Sequence, residues 1–102
     1  MTKYKTFDLI PVYDRKSFYG KAKVTVIGNR AILTSYNTVV CEINTKSGKF
    51  TRYWDSWSAT TARHINSFCR TFGNAGFNKS EWIALPVKRF DFGKFYAPVM
   101  GC

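Results

Sequence analysis

The stretch Trp57–Ile65, WSATTARHI, sets three hydroxyl side chains, Ser58, Thr60 and Thr61, just ahead of the only histidine, His64. Residues of these types could form a nucleophile and its base. A Ser or Thr oxygen becomes reactive when an imidazole within hydrogen-bond reach takes its proton and a third group orients the ring. Asp55, upstream, is the available orienting carboxylate. The spacing argues against this chemistry. On a helix His64 falls at the margin of the apolar stripe, and Asp55 precedes the first turn, where a negative charge favours the helix in any case. There is no G-x-S-x-G elbow and no paired-carboxylate constellation, and the whole chain has six acids. No catalytic residue is therefore expected. A second chemistry is anion binding by the free N–H groups of the helix start together with these hydroxyls. Asp55 opposes it by repelling a phosphate or occupying the same donors. The favoured reading is structural: Ser58 caps the helix, Thr61 back-bonds or packs on a sheet, and His64 makes a boundary contact.

A second polar signature, Ser35-Tyr36-Asn37-Thr38, lies between two apolar runs. It reads as turn chemistry, described below. The cysteines Cys41, Cys69 and Cys102 are far apart and odd in number, without a CxxC pair. With one histidine they do not make a usual zinc set, so neither metal nor cofactor is expected, and a reducing compartment is the natural setting.

Those side chains must be positioned by a chain of 102 residues, long enough for one domain with one modest core. At 45% hydrophobic and 18% aromatic the sequence is not that of a disordered chain. No apolar run approaches the ~18 residues of a membrane span, and MTKYKTFD has no apolar signal core, so a cytoplasmic protein is expected. Sixteen Lys and Arg against six Asp and Glu give a formal charge of +10. An anionic partner follows: nucleic acid, a nucleoprotein or an acidic protein face. The bases are scattered from Lys3 to Lys94, which favours a broad basic surface over a basic tail.

Period-two patterning predicts a short strand over residues 3–10 and a second over 17–27, with Phe18, Ala22, Val24 and Val26 on one face and Tyr19, Lys21, Lys23 and Thr25 on the other. Gly28-Asn29 suits a two-residue hairpin. Pairing Ile27 with Arg30 then sets Val26 opposite Ala31, Val24 opposite Leu33 and Lys23 opposite Thr34, so that one turn sorts both strands. In the next strand Val39, Cys41 and Ile43 are expected inward, with Val40, Glu42 and Asn44 outward. Keeping Leu33 opposite Val39 requires a three-residue loop, Ser35-Tyr36-Asn37, with Asn37 left-handed. A further strand is expected over 49–54. The apolar spacing of Ile65, Phe68, Cys69 and Phe72 predicts a helix from Ser58 to Phe72, with Gly73 as C′ residue and Arg63, Ser67 and Arg70 on its outer face. Asn78-Lys79-Ser80-Glu81 reads as a capping box opening a short helix closed by Pro86. The tail from Val87 to Tyr96 is either a last strand or an extended arm. The expected fold class is α+β: a twisted antiparallel sheet of four or five strands, one main helix packed on one face, and a short second helix.

Taken together, S-Y-N-T (Ser35–Thr38), W-D-x-x-S-A-T-T-x-x-H-I-N-x-F (Trp54–Phe68) and K-x-E-W-x-x-L-P (Lys79–Pro86) resemble a family of short phage-type and mobile-element proteins of unknown function. The resemblance spans residues 20–86. It implies a viral or mobile-element origin and supplies no established activity or catalytic residue.

Two functions are consistent with these features, neither enzymatic. One is a phage-type effector that binds and inhibits or modulates a host or defence protein or nucleoprotein, such as a CRISPR effector, in the host cytoplasm. The other is a nucleic-acid-binding accessory protein that uses a basic, aromatic sheet face, because cations track phosphates while rings stack on bases. The candidate binding residues are Tyr19, Lys21, Lys23, Tyr36 and Arg52 on that face, with Arg63 and Arg70 on the helix.

Overall fold

The structure is a computed structural model that describes residues 4–9 and 20–90. The expectations for the 14–16 turn, for Phe18 and Tyr19, and for the tail beyond Phe90 lie outside the described residues. Seven elements follow in chain order: β1 (Tyr4–Asp8), β2 (Ala22–Ile27), β3 (Arg30–Ser35), β4 (Thr38–Asn44), β5 (Phe50–Arg52), α1 (Ala59–Thr71) and α2 (Lys79–Ala84). The strands form one antiparallel meander in sequential order, β1-β2-β3-β4-β5. This is the expected α+β class.

The β2–β3 hairpin has the predicted register, with Ile27 opposite Arg30, Val24 opposite Leu33 and Lys23 opposite Thr34. Its turn requires a positive φ at Gly28, which lies at 57°. The β3–β4 hairpin differs. Ser35 pairs with Thr38, so the loop is two residues, Tyr36-Asn37, and the left-handed residue is Tyr36 (φ 57°) rather than Asn37. Leu33 faces Cys41 and Ala31 faces Ile43, while Thr34 faces Val39. Val40 is the extra residue of a β-bulge. Its carbonyl accepts from both Tyr53 N (2.8 Å) and Trp54 N (3.1 Å). A one-residue offset can be absorbed by an odd loop or by a bulge, and the chain uses the bulge. Side-chain parity therefore switches within β4. Val40, Cys41 and Ile43 enter the core beneath the helix, and Val39 joins Ile32 on the opposite face.

The main core joins Val24, Ala31, Leu33, Val40, Cys41 and Ile43 of the sheet to Ile65, Phe68 and Cys69 of α1 and Trp82 of α2. Each such large side chain, fully buried, contributes roughly 1.5–3 kcal/mol of transfer free energy. Ser58 caps α1 as expected, its Oγ accepting from Thr61 N. The C-terminus ends in a Schellman arrangement, with Gly73 N donating to Arg70 O and Asn74 N to Cys69 O. The predicted capping box of α2 is present in both directions between Asn78 and Glu81. Between the helices, Asn66 Oδ1 accepts from Phe77 N at 2.7 Å. Gly76 passes so close that a Cβ there would lie 2.5 Å from that oxygen.

Two burial expectations for α1 are corrected. Ser67, expected outside with Arg63 and Arg70, is buried, and His64 is buried rather than marginal. The helix submerges a polar seam, Thr61, His64 and Ser67, alongside its apolar one. That seam is the part of the fold that receives SYNT.

Candidate functional site

The two polar signatures meet in space. Because the β3–β4 loop is short, Ser35 stays in the strand and points at α1. Its Oγ lies 2.8 Å from His64 Nδ1 and 3.3 Å from Thr61 Oγ1. The partner of His64 Nδ1 is thus Ser35, a residue expected in a loop, and not Asp55, which is exposed ahead of the helix. The Tyr36 ring stands 5.9 Å from the imidazole. Burial, aided by the neighbouring Arg63 charge, holds the His64 pKa below its ordinary value and keeps the ring neutral. Ser35 and His64 are 3% and 2% exposed, so a carbonyl or phosphoryl group cannot reach the hydroxyl. Geometrically this is a hydroxyl–imidazole pair, but chemically it is a buried polar clasp between sheet and helix.

The expected binding residues are not gathered on one face. Lys21 and Tyr36 sit together at the end of the sheet, with Lys21 Nζ 5.8 Å from the Tyr36 ring centre. Lys23 lies on the outer face, the one turned away from α1, and pairs with Asp8 at 2.7 Å. Arg63 and Arg70 are exposed on α1. Tyr19 lies outside the described residues.

Arg52 was expected on the outer face and is instead inward and 4% exposed. Its strand is three residues long, so pairing with β4 and not alternation sets its face, and Arg52 is opposite the core residue Cys41. The guanidinium donates to Trp54 O (2.7 Å) through Nε and to Leu85 O (2.9 Å) and Ile83 O (3.4 Å) through one terminal nitrogen. It also lies 5.1 Å from the Trp82 ring centre. Arg52 ties the end of α2 to β5.

The outer sheet face is not an open platform either. Its middle is an apolar cluster of Ile32, Val39 and Phe90, flanked by Ile27 and Tyr53. Phe90 reaches it because the chain after α2 runs along β5, with Val87 bridged in parallel to Arg52 and Lys88 N donating to Arg52 O. Beside the cluster, Arg30 holds Glu42 by two bonds, 2.7 and 2.8 Å, and Tyr53 donates its hydroxyl to the same carboxylate at 2.6 Å. Burial and that bond raise the Tyr53 pKa, so the phenol stays protonated.

A concavity lies where this cluster meets the SYNT turn. A groove of about 430 Å³ is lined by Asn37, Thr38, Val39, Tyr53, Lys88, Arg89 and Phe90. A second cleft of about 210 Å³, lined among others by Lys49, Phe50, Thr51 and Pro86, shares Lys88 with it. In the sequence Asn37 reads as turn chemistry, and 88–90 belong to a tail that fits either a strand or an arm. The run of two bases and an aromatic, Lys88-Arg89-Phe90, is the sequence signal that points to this groove. Among the described residues no group of three or more His, Cys, Asp and Glu side chains is placed to hold a metal ion. Nor is any described helix long and apolar enough to cross a membrane.

One family model matches residues 7–84, and its description is a family of unknown function. The match takes in most of the span of the motif pattern and extends further towards the N-terminus. No curated protein and no solved structure matches the chain.

Proposed function

The chain belongs to that family of unknown function, DUF8033, and from this premise we propose that it is a small, basic, non-enzymatic binding protein. It is an effector of the phage or mobile-element type, acting in the host cytoplasm on a host or defence protein or nucleoprotein. The observation that carries this reading is the separation of chemistry from surface. The imidazole and the hydroxyls beside it, Ser35 and Thr61, are sealed between sheet and helix, and exposed Ser58 is engaged as the helix cap. The accessible surface instead offers cations, among them Lys21, Arg63, Arg70, Lys88 and Arg89, on a chain of charge +10. Exposed Tyr36 beside Lys21, and the groove walled by Tyr53 and Phe90, add the ring surfaces that anchor interfaces. The motif resemblance to short phage-type proteins supports the effector role.

Direct binding of free nucleic acid is the second reading, and the basic, aromatic groove favours it. It no longer rests on the outer sheet face, whose centre Phe90 covers. A tagged full-length chain passed through bacterial lysate separates the two. A protein retained after nuclease treatment at moderate salt supports the effector reading. Capture of nucleic acid alone, lost on nuclease treatment, supports the second. Retention of neither at low salt refutes both, since ~10 excess positive charges should hold a polyanion under those conditions.

A further inference from the structure

We infer that the groove between the SYNT turn and residues 88–90 is a site for one nucleotide unit of a single-stranded nucleic acid. This deepens the reading above by naming what the protein would grip on a nucleoprotein.

Such a unit offers a phosphate anion and a planar ring at fixed separation, and the groove has a wall for each. Lys88 and Arg89 are adjacent and exposed, and neither has an ion pair among the described residues. Opposite them the turn exposes the Asn37 amide and the Thr38 hydroxyl. Both groups can bond to sugar, base edge or phosphate oxygen. The remaining wall is aromatic. Tyr53 and Phe90 pack edge to face at 5.1 Å, and the Tyr53 hydroxyl is fixed to Glu42. A ring held at both ends loses little freedom when a base lies against it, which raises affinity for a flat ligand. Glu42 is the carboxylate closest to this wall through that bond, and the double contact from Arg30 already compensates it.

Size selects the ligand further. About 430 Å³ is the volume of a small-molecule site and cannot admit a duplex. A strand entering it has cations on both sides. Lys88 continues into the second cleft beside Lys49, and Lys21 stands over Tyr36 at the other end of the turn.

The test uses the full chain and fluorescence anisotropy with labelled ten-nucleotide dU and rU strands. The groove pair Lys88→Ala with Arg89→Ala is compared with a control pair, Lys5→Ala with Lys79→Ala, whose residues are exposed elsewhere and remove the same charge. The groove pair should weaken binding at least tenfold more than the control pair. It should also flatten the log–log salt slope by about 0.7, the one phosphate of the bound unit at ~0.7 per contact for single strands. Uridine monophosphate should displace the labelled strand at concentrations where inorganic phosphate does not. Tighter binding of rU than dU would mean that the groove reads a ribose hydroxyl, and equal binding that it reads phosphate and base alone. Equal loss in both pairs, displacement by inorganic phosphate as effective as by the nucleotide, or no strand binding by the wild type would each overturn the assignment. If the groove pair fails in this way yet a protein is still captured after nuclease treatment, the nucleotide site is lost and the effector reading stands.

Discussion

Arg52 offers the sharpest test of the structural account, because sequence alternation and tertiary geometry predict opposite results. On an outer sheet face, Arg52→Ala would change stability by less than about 0.5 kcal/mol. In the structure the side chain is buried, donates short bonds to Trp54 O and Leu85 O and a longer one to Ile83 O, and lies over Trp82. Hydrogen bonds from a charged donor contribute ~1.5–3 kcal/mol each. Taking the low end for the two short bonds, and ~0.5–1 kcal/mol for the cation–ring contact, gives a loss of about 3.5–4 kcal/mol. For a domain of this size that is a fall in Tm of roughly 15–25 °C. Arg52→Lys should recover less than half, since a single ammonium cannot span both carbonyls as the planar fork does. Urea denaturation of both variants, with Lys21→Glu as an exposed control, measures this directly. A loss below 1 kcal/mol for Arg52→Ala, or full rescue by lysine, would show that the guanidinium does not hold α2 to β5. The same geometry means that a charge reversal including Arg52 cannot serve as a surface probe, because it would unfold the domain.

Three further outcomes are expected. With the folded-state pKa of His64 held low by burial and Arg63, the unfolded chain binds the extra proton first as pH falls. Stability should therefore be flat above about pH 6.5 and decline below it, and His64→Gln should remove the decline; a slope unchanged in that variant would exclude His64 as its source. Gly76→Ala should cost about 2 kcal/mol, because its Cβ would meet Asn66 Oδ1 at 2.5 Å and φ is 90°. Combining it with Asn66→Ala should cost less than the sum of the single changes, and strict additivity in thermal melts would refute the contact. In a Cys102→Ser background, Cys41 and Cys69 should resist thiol reagents until the protein unfolds. Burial raises both thiols, Cys69 to about 12, so labelling of the native fold within minutes would contradict their placement.

Local order was written in the sequence wherever the deciding interaction spans a few residues. The Gly28-Asn29 turn, the Ser58 cap, the Asn78–Glu81 box and the 65/68/69/72 stripe could each be placed because a φ preference, a side-chain-to-backbone bond or a helical period is local. Net charge likewise came from counting, and with it the expectation of an anionic partner. What tertiary structure alone decided is the parity of strands and the company of polar residues. A loop of odd length and a bulge both turn Cys41 and Ile43 inward, in registers two residues apart. Only the pairing of Leu33 with Cys41 selects the bulge, sends Val39 outward and leaves Ser35 facing His64. Arg52 is a base by composition and a core tie by geometry, because a three-residue edge strand inherits its facing from its neighbour and two of the three carbonyls that receive it, Ile83 O and Leu85 O, lie at the end of α2, more than thirty residues on. The groove depends on the same long-range closure. Asn37 and Thr38 are some fifty residues from Lys88 and Arg89, and it is the run of the chain beside β5 that sets them on two sides of one cavity.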